Sequence, residues 1–460
     1  MSELGLQIFV GACFVGLVVV LFFEKTDYLT YSFLLVVLAA VATSIVMPEI
    51  FMHETDPLQF GEPIDFFVGL INWEVIFFLI AIFTIVEILN EKEVFQAIAK
   101  GITNKYQDNI RKMFYVFCTI STLCAAIIED LSVALIFGPI ILLACRKMEI
   151  NPTPFLLGMT ICINLASTLT PFGSAENILI ANYFRTEELK TLDIGWFVTT
   201  LGLYFLITTV VTLLLLDKIV LKKSMLKRWE GTCTLETALD MQRLDKIDVD
   251  EKVIWINIAA LGVFIVLLLF IPQIYLAGII AMLIFIFVNP VKDDDGKSRI
   301  TISYYLRKVD YKLIYFFICL FIFVGLMNAN GTIDLIKNAF DKISPSNEFL
   351  LAITIMLLTS LLSGLMDNAP VTILFLPVMK SLILGGAGGD AIIIALIIGI
   401  NIGGNFLPQG SAADMATLDI AQKNCVVDLP YKRLFKIGAI FALLHIMLGV
   451  GYLALVVFLF

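Results

Sequence analysis

The sequence predicts an all-α polytopic membrane protein of two inverted repeats, with about ten transmembrane helices, two re-entrant hairpins and discontinuous helices. Three observations carry this. First, 60% of the 460 residues are apolar and only 15% charged, mean hydropathy is +0.96, and many runs approach the roughly 20 apolar residues that a bilayer core demands. Second, two apolar runs are interrupted at their centres by acids: Glu129-Asp130-Leu131-Ser132 and Met366-Asp367-Asn368-Ala369-Pro370. Third, these tips belong to an internal duplication. Residues 129 and 367 are 238 apart, as are the segments starting at Asn72 and Asp310, and Pro139 and Pro377. After the tips the offset becomes 237, joining Asn164 to Asn401, Pro171 to Pro408, Gly173 to Gly410, Ser174 to Ser411 and Asn177 to Asp414.

Taken in order, 6–23 and 29–46 read as spanning helices. The first lacks a basic leader and a small-residue cleavage site, so a retained helix is expected rather than a signal peptide. An acidic loop, 48–65, precedes a third span at 73–89. Residues 90–108 are amphipathic and suit the membrane interface. Segments 111–128 and 131–145 flank the first acidic tip, and the second is short for a full span, so the pair reads as a re-entrant hairpin. The run 154–167 breaks at 168–174, where Pro171 and Gly173 among hydroxyl side chains unwind a helix, and it resumes at 178–184. A span at 196–216 ends the first repeat, 1–216.

A polar linker, 217–251, leads into the second repeat, 252–460. Its spans are 253–271 and 273–288 around Pro272, then 313–327. An amphipathic segment at 332–343 follows, then a second hairpin of 349–365 and 371–384. The helix 391–400 breaks at 401–411, and 434–460 closes the chain. With the basic loops at 217–251, 290–312 and 423–436 inside, by the positive-inside rule, each half holds five crossings and one hairpin. Five is odd, so the second half runs inverted and the tips meet near the midplane.

Ionised groups at the bilayer centre are costly and mark function. This chain places Glu129, Asp130, Glu176, Asp367 and Asp414 at or beside the hairpin tips and breaks, with no Lys or Arg at the tips or in the breaks. Unpaired acids in a cavity favour a cation, a proton or both. Neutral oxygen ligands surround them: Ser132, Asn164, Ser167, Thr168, Thr170, Asn177, Asn368, Thr372, Asn401, Asn405, Gln409 and Ser411. A structural role competes at several of these. Asp130 and Ser132 suit a helix N-cap, Asn164 and Asn401 suit interhelical hydrogen bonds, and Glu176 and Asp414 suit the mouth of a cavity. Eight scattered cysteines without a CxxC pair read as buried apolar residues, and two histidines are too few for a His-rich metal site. The charge of −9 gives no support to a nucleic-acid partner.

The tips, the Ile150-Asn151-Pro152-Thr153-Pro154 link and the Gly403-Gly404-Asn405 to Gly410-Ser411-Ala412-Ala413 break resemble the ArsB/NhaD branch of the ion transporter superfamily. The resemblance spans both repeats and implies inverted repeats, re-entrant hairpins, secondary transport and often a homodimer. The first tip reads Glu-Asp where that branch has Asp-Asn, and Asp414 stands where Asn is usual. Two extra acids tilt the expected cargo toward a cation.

The expectation is therefore a multi-pass cell-membrane Na⁺(Li⁺)/H⁺ antiporter without a cofactor, with Na⁺ at Asp130, Asn164, Asp367 and Asn401. Its partners are the bilayer and a small ion. The rivals are a proton-driven arsenite or antimonite exporter and a sodium-coupled carboxylate carrier. An intramembrane aspartyl protease wants a Gly-x-Gly-Asp motif that is absent from this sequence.

Overall fold

The computed structural model describes residues 2–21, 27–51, 63–106, 108–224, 250–271, 273–292, 298–335, 347–386 and 389–459. Most of the 48–65 and 217–251 loops, Pro272 and residues 336–343 of the second amphipathic segment lie outside these.

The first repeat comprises α1 (Glu3–Leu21), α2 (Tyr28–Val46), a short α3 (Pro63–Leu70), α4 (Trp73–Glu91), α5 (Val94–Tyr106), α6 (Ile110–Ala125), α7 (Asp130–Lys147), α8 (Thr153–Ala166), α9 (Ala175–Thr186) and α10 (Ile194–Leu216). The second comprises α11 (Glu251–Phe270), α12 (Ile274–Val288), a short α13 (Ile302–Leu306), α14 (Tyr311–Ala329), α15 (Glu348–Leu365), α16 (Asn368–Leu384), α17 (Gly389–Gly403), α18 (Ala412–Lys423) and α19 (Tyr431–Leu459). Eight of the described helices are long and apolar enough to cross a bilayer. A two-residue ladder, Val291–Lys292 against Ser298–Arg299, is the β structure among the described residues.

Helix starts follow the sequence register, because the same capping chemistry recurs in each repeat. Asn72 accepts from Val75 N at 3.2 Å and its counterpart Asp310 accepts from Lys312 N at 3.0 Å. Asn109 caps α6 through Lys112 N, and its counterpart Asn347 caps α15 through Phe349 N. Glu129 and Asp367 cap α7 and α16. Each supplies an acceptor to backbone N–H groups that no helical carbonyl reaches. The first hairpin's second arm, expected at 131–145, therefore runs from Asp130 to Lys147.

Polar contacts at helix ends sort the elements onto two faces. On one, Arg111 at the start of α6 bonds Asp217 beyond α10. Asn151 before α8 bonds Asp428, between α18 and α19. Glu91 at the end of α4 pairs with Lys308 before α14. This face carries Arg146, Lys147, Lys222 and Lys223 as well, and is the basic one. On the other face, Glu74 at the start of α4 pairs with Arg185 at the end of α9. Lys380 near the end of α16 pairs with Glu187, and Lys190 before α10 with Asp390 in α17. Hence α4 and α10 run toward the basic face, while α14 and α19 run away from it. The first hairpin opens on the basic face and the second on the opposite one.

The repeats also exchange partners. α12 packs on α4 as α2 packs on α14, and α18 packs on α7 as α9 packs on α16. Each half-helix thus leans on the hairpin of the other repeat. The tightest seam joins α15 to α17. A Cβ added at Gly399 lies 2.0 Å from Thr359 Oγ1 and 2.8 Å from Met356 O, and one at Gly403 lies 2.6 Å from Ser360 O. Two glycines four apart let the backbones approach, the small-residue solution for helices that gain nothing from hydrophobic exclusion in lipid.

Candidate functional site

Both tips reach one cavity of about 320 Å³. Glu129, Asp130, Glu176 and Asp367 line it together with Asn368, Gln409 and Ser411. No Lys, Arg or His is among its lining residues. Tyr28, Asp310, Leu313, Phe316 and Phe317, from the basic-face halves of α2 and α14, extend it toward that face.

The N-termini of four half-helices, α7, α9, α16 and α18, contribute to the wall through Leu131, Ala175, Ala369 and Ala412. Such termini attract anions, and here the chain's own acids already hold them. Glu129 accepts from Ser132 N and Ser132 Oγ, both at 3.0 Å. Asp130 accepts from Leu131 N at 2.9 Å and Asp367 from Asn368 N at 2.8 Å. Glu176 and Asp414 sit in the first turns of α9 and α18. Asn368, with its amide turned to satisfy both ends, donates to Ile400 O at 3.1 Å and Gly410 O at 3.3 Å.

Behind this wall the two breaks interlock. Asn164 donates to Asn405 Oδ1 at 2.9 Å and to Asp414 Oδ1 at 3.4 Å, and accepts from Ser411 Oγ at 2.9 Å. Its counterpart Asn401 donates to Asn177 Oδ1 at 3.0 Å and accepts from Ser174 Oγ at 3.2 Å. Thr160 completes the first set by donating to Asp414 Oδ1 at 2.5 Å. Both asparagines therefore bridge their own repeat to the break of the other.

The structure sorts the residues singled out from the sequence. Glu129, Asp130, Asp367, Asn368 and Ser411 meet at the cavity. Asn164, Asn177, Asn401, Asn405 and Asp414 form the layer behind it. Ser167, Thr168 and Thr372 turn their hydroxyls to backbone carbonyls, Gly173 and Ile163, Leu165, and Asn368 respectively. Thr170 ties the first break to Ala126 O beside the tip. Ser132 serves the cap of α7. Tyr28 and Asp310 were missing from the sequence-derived set. The sequence marks Asp310 only as the counterpart of Asn72 at a helix start, with no sign that it reaches the chamber.

One difference between the repeats bears on access. At the face opposite the basic one, Asn72 bonds Asn182 and Glu74 pairs with Arg185, so α4 is fastened to α9. The counterparts of Asn72 and Asn182 are Asp310 and Asp419. Asp310 lines the cavity, and Asp419 pairs with Lys423 on its own helix at 2.6 Å.

The family model for citrate transporters, CitMHS, matches residues 18–399 and 298–460. The chain belongs to this family. An uncharacterized transporter of Mycobacterium bovis is 24% identical over 427 residues, covering 91% of this chain and 92% of that protein. A putative transporter, arsB, of Dictyostelium discoideum is 23% identical over 132 residues, 27% of the chain. The likeness to ArsB proteins is therefore coarser than the motifs implied, and the CitMHS match covers both repeats. Among solved structures, MtrF of Neisseria gonorrhoeae, described as illuminating a class of antimetabolite efflux pumps, superposes with a TM-score of 0.62 at 11% identity. It covers 93% of this chain and 94% of its own. That likeness concerns the fold. CitMHS membership and these relatives make the protein a membrane transporter.

Proposed function

We propose that this transporter is a proton-coupled cation antiporter exchanging Na⁺ or Li⁺ for H⁺. The observation that carries the reading is a cavity lined by five carboxylates, Glu129, Asp130, Glu176, Asp310 and Asp367, with no basic side chain on its wall. Free acids in a low-dielectric chamber attract cations, and each binds a proton or a metal ion but not both. Glu129, Asp130 and Asp367 hold the cargo, with Glu176 beside them. Asn368, Ser411 and Gln409 supply neutral oxygens of the sort hard cations take. Proton and cation competing for one set of oxygens gives exchange without a separate coupling device.

The basic face is assigned to the cytoplasm by the positive-inside rule, so the cavity opens inward. The Glu74–Arg185 and Asn72–Asn182 contacts then form the closed outer gate. Exchange of this gate for its counterpart at Asp310 and α18 delivers the site to the other side, as in transporters of inverted repeats.

In inside-out vesicles, Na⁺ or Li⁺ dissipates a preset pH gradient, and Asp130→Asn removes the response. A wild type deaf to every alkali cation would end this reading. A second reading, carriage of a carboxylate, is favoured by the citrate-transporter family and by the four helix N-termini at the cavity. Against it, the chain's own acids already occupy those N-termini. Labelled citrate uptake in the same vesicles separates the two.

A further inference from the structure

Asp414 lies outside the cavity wall, 1% exposed, within the layer that joins the two breaks. Its Oδ1 accepts from Thr160 Oγ1 at 2.5 Å and from Asn164 Nδ2 at 3.4 Å. Among the described residues no Lys, Arg or His reaches ion-pairing distance of it. Three elements bring titratable groups to its surroundings: α7 carries Asp130 at its tip and Cys145, Arg146 and Lys147 at its far end, α8 carries Cys162, and α18 itself carries Asp419 and Lys423. Asp419 and Lys423 are paired with each other.

The other repeat shows what packing alone requires at this position. Asn177, the counterpart of Asp414, accepts from Asn401 Nδ2 just as Asp414 accepts from Asn164 Nδ2. A neutral amide oxygen is enough to hold the interlock. A carboxylate at the same place adds an isolated buried charge, which proteins keep only when it is paired or neutralised. With no cationic side chain in reach among the described residues, a proton is the partner that neutralises it with the least rearrangement.

A second observation places the group in a rearrangeable network. Asn405 Nδ2, buried and bonded through its other end to Asn164, has no acceptor among the described residues. Asn164 links this unsatisfied donor, Asp414 and Ser411, and Ser411 lines the cavity. Protonation converts one Asp414 oxygen from acceptor to O–H donor, with no bond broken, and changes which of these partners Asn164 holds.

We propose that Asp414 is a proton-binding site separate from the cargo cavity, linked to it through Asn164 and Ser411. The inference rests on the cation/proton reading above. The test uses purified protein in liposomes, with two readouts: tracer ²²Na⁺/Na⁺ exchange, and protons moved per sodium from the pH difference that nulls an imposed sodium gradient. Asp414→Asn, which copies the first repeat, keeps tracer exchange and lowers the proton count by one, leaving the protons that the cavity acids exchange for cation. An unchanged proton count overturns the inference, as does loss of tracer exchange in a folded variant, which would make Asp414 part of the cargo site. If Asp414→Asn does not fold, Thr160→Val decides: it moves the pH midpoint of antiport by about one unit, the worth of one hydrogen bond to the carboxylate, and no shift overturns the inference. A wild type silent in both readouts removes the antiport reading itself, a failure distinct from either.

Discussion

The two repeats share register, caps and packing partners, yet they stand in different states at their gates. In the first, the start of α4 is fastened to the end of α9 by Asn72–Asn182 and Glu74–Arg185. In the second, Asp310 at the equivalent place faces the cavity, and Asp419 is turned to Lys423. One fold therefore holds two versions of the same interface, one closed and one open. In the reading proposed above, alternating access is the exchange of the two versions.

The largest effect tests whether the acids of both tips act together. Asp367→Asn and Glu129→Gln, one from each repeat, should each lower cation-driven proton flux on the order of a hundredfold, from about 3 kcal/mol for removing one member of a buried charged contact. If one tip alone were sensitive, the shared chamber would be wrong.

Next is the gate. In a background without native cysteines, Asn72→Cys with Asn182→Cys should cross-link readily in resting protein and arrest transport, with recovery on reduction. Asp310→Cys with Asp419→Cys should cross-link only when cargo and an opposing gradient populate the other state. Equal yields for the two pairs at rest would remove the asymmetry.

The close seam between α15 and α17 gives a smaller effect. Gly399→Ala puts its methyl against the Met356 carbonyl, which is backbone and does not yield. Gly158→Ala meets Cys118 Sγ at 2.6 Å and the Phe114 ring at 2.9 Å, side chains that rotate. Overpacking costs about 1–3 kcal/mol, so Gly399→Ala should lower the unfolding temperature in detergent more than Gly158→Ala does.

The smallest concerns Asp27 at the basic face. Its hydrogen bonds with Lys312 and Thr30 hold its carboxyl below the usual range. A lowered folded-state pKa gives stability that is complete above the unfolded value and lost only as pH falls through the folded one. Asp27 therefore stays charged throughout the neutral range. Asp27→Asn should leave the pH profile of transport between pH 6 and 9 unmoved, so any slope there belongs to deeper groups.

Much of the architecture was legible along the chain. The offset of 238 locates the starts of α14, α15 and α16, since Asp310, Asn347 and Asp367 are the counterparts of the first-repeat caps Asn72, Asn109 and Glu129. Glu129, Asp130 and Asp367 stood out because acids inside apolar runs have few structural excuses. The hydroxyls of Ser167, Thr168 and Thr372 donate to nearby carbonyls, as a Ser or Thr in an apolar helix does, and composition does not say which way each turns.

What the sequence determined by itself is the membrane class, the duplication and the acids at the tips, because hydropathy and register are local and periodic properties. The tertiary structure alone decided that Asp310 shares the chamber, that Asn164 and Asn401 bridge to the opposite repeat, and that Asn72 and Glu74 bond to α9 while Asp310, among the described residues, does not bond to α18. Those outcomes depend on contacts between residues more than 100 positions apart, in some cases more than 200. The sequence does show that the counterparts of Asn72 and Asn182 are two acids, Asp310 and Asp419, but which partners each takes is fixed by distant parts of the chain.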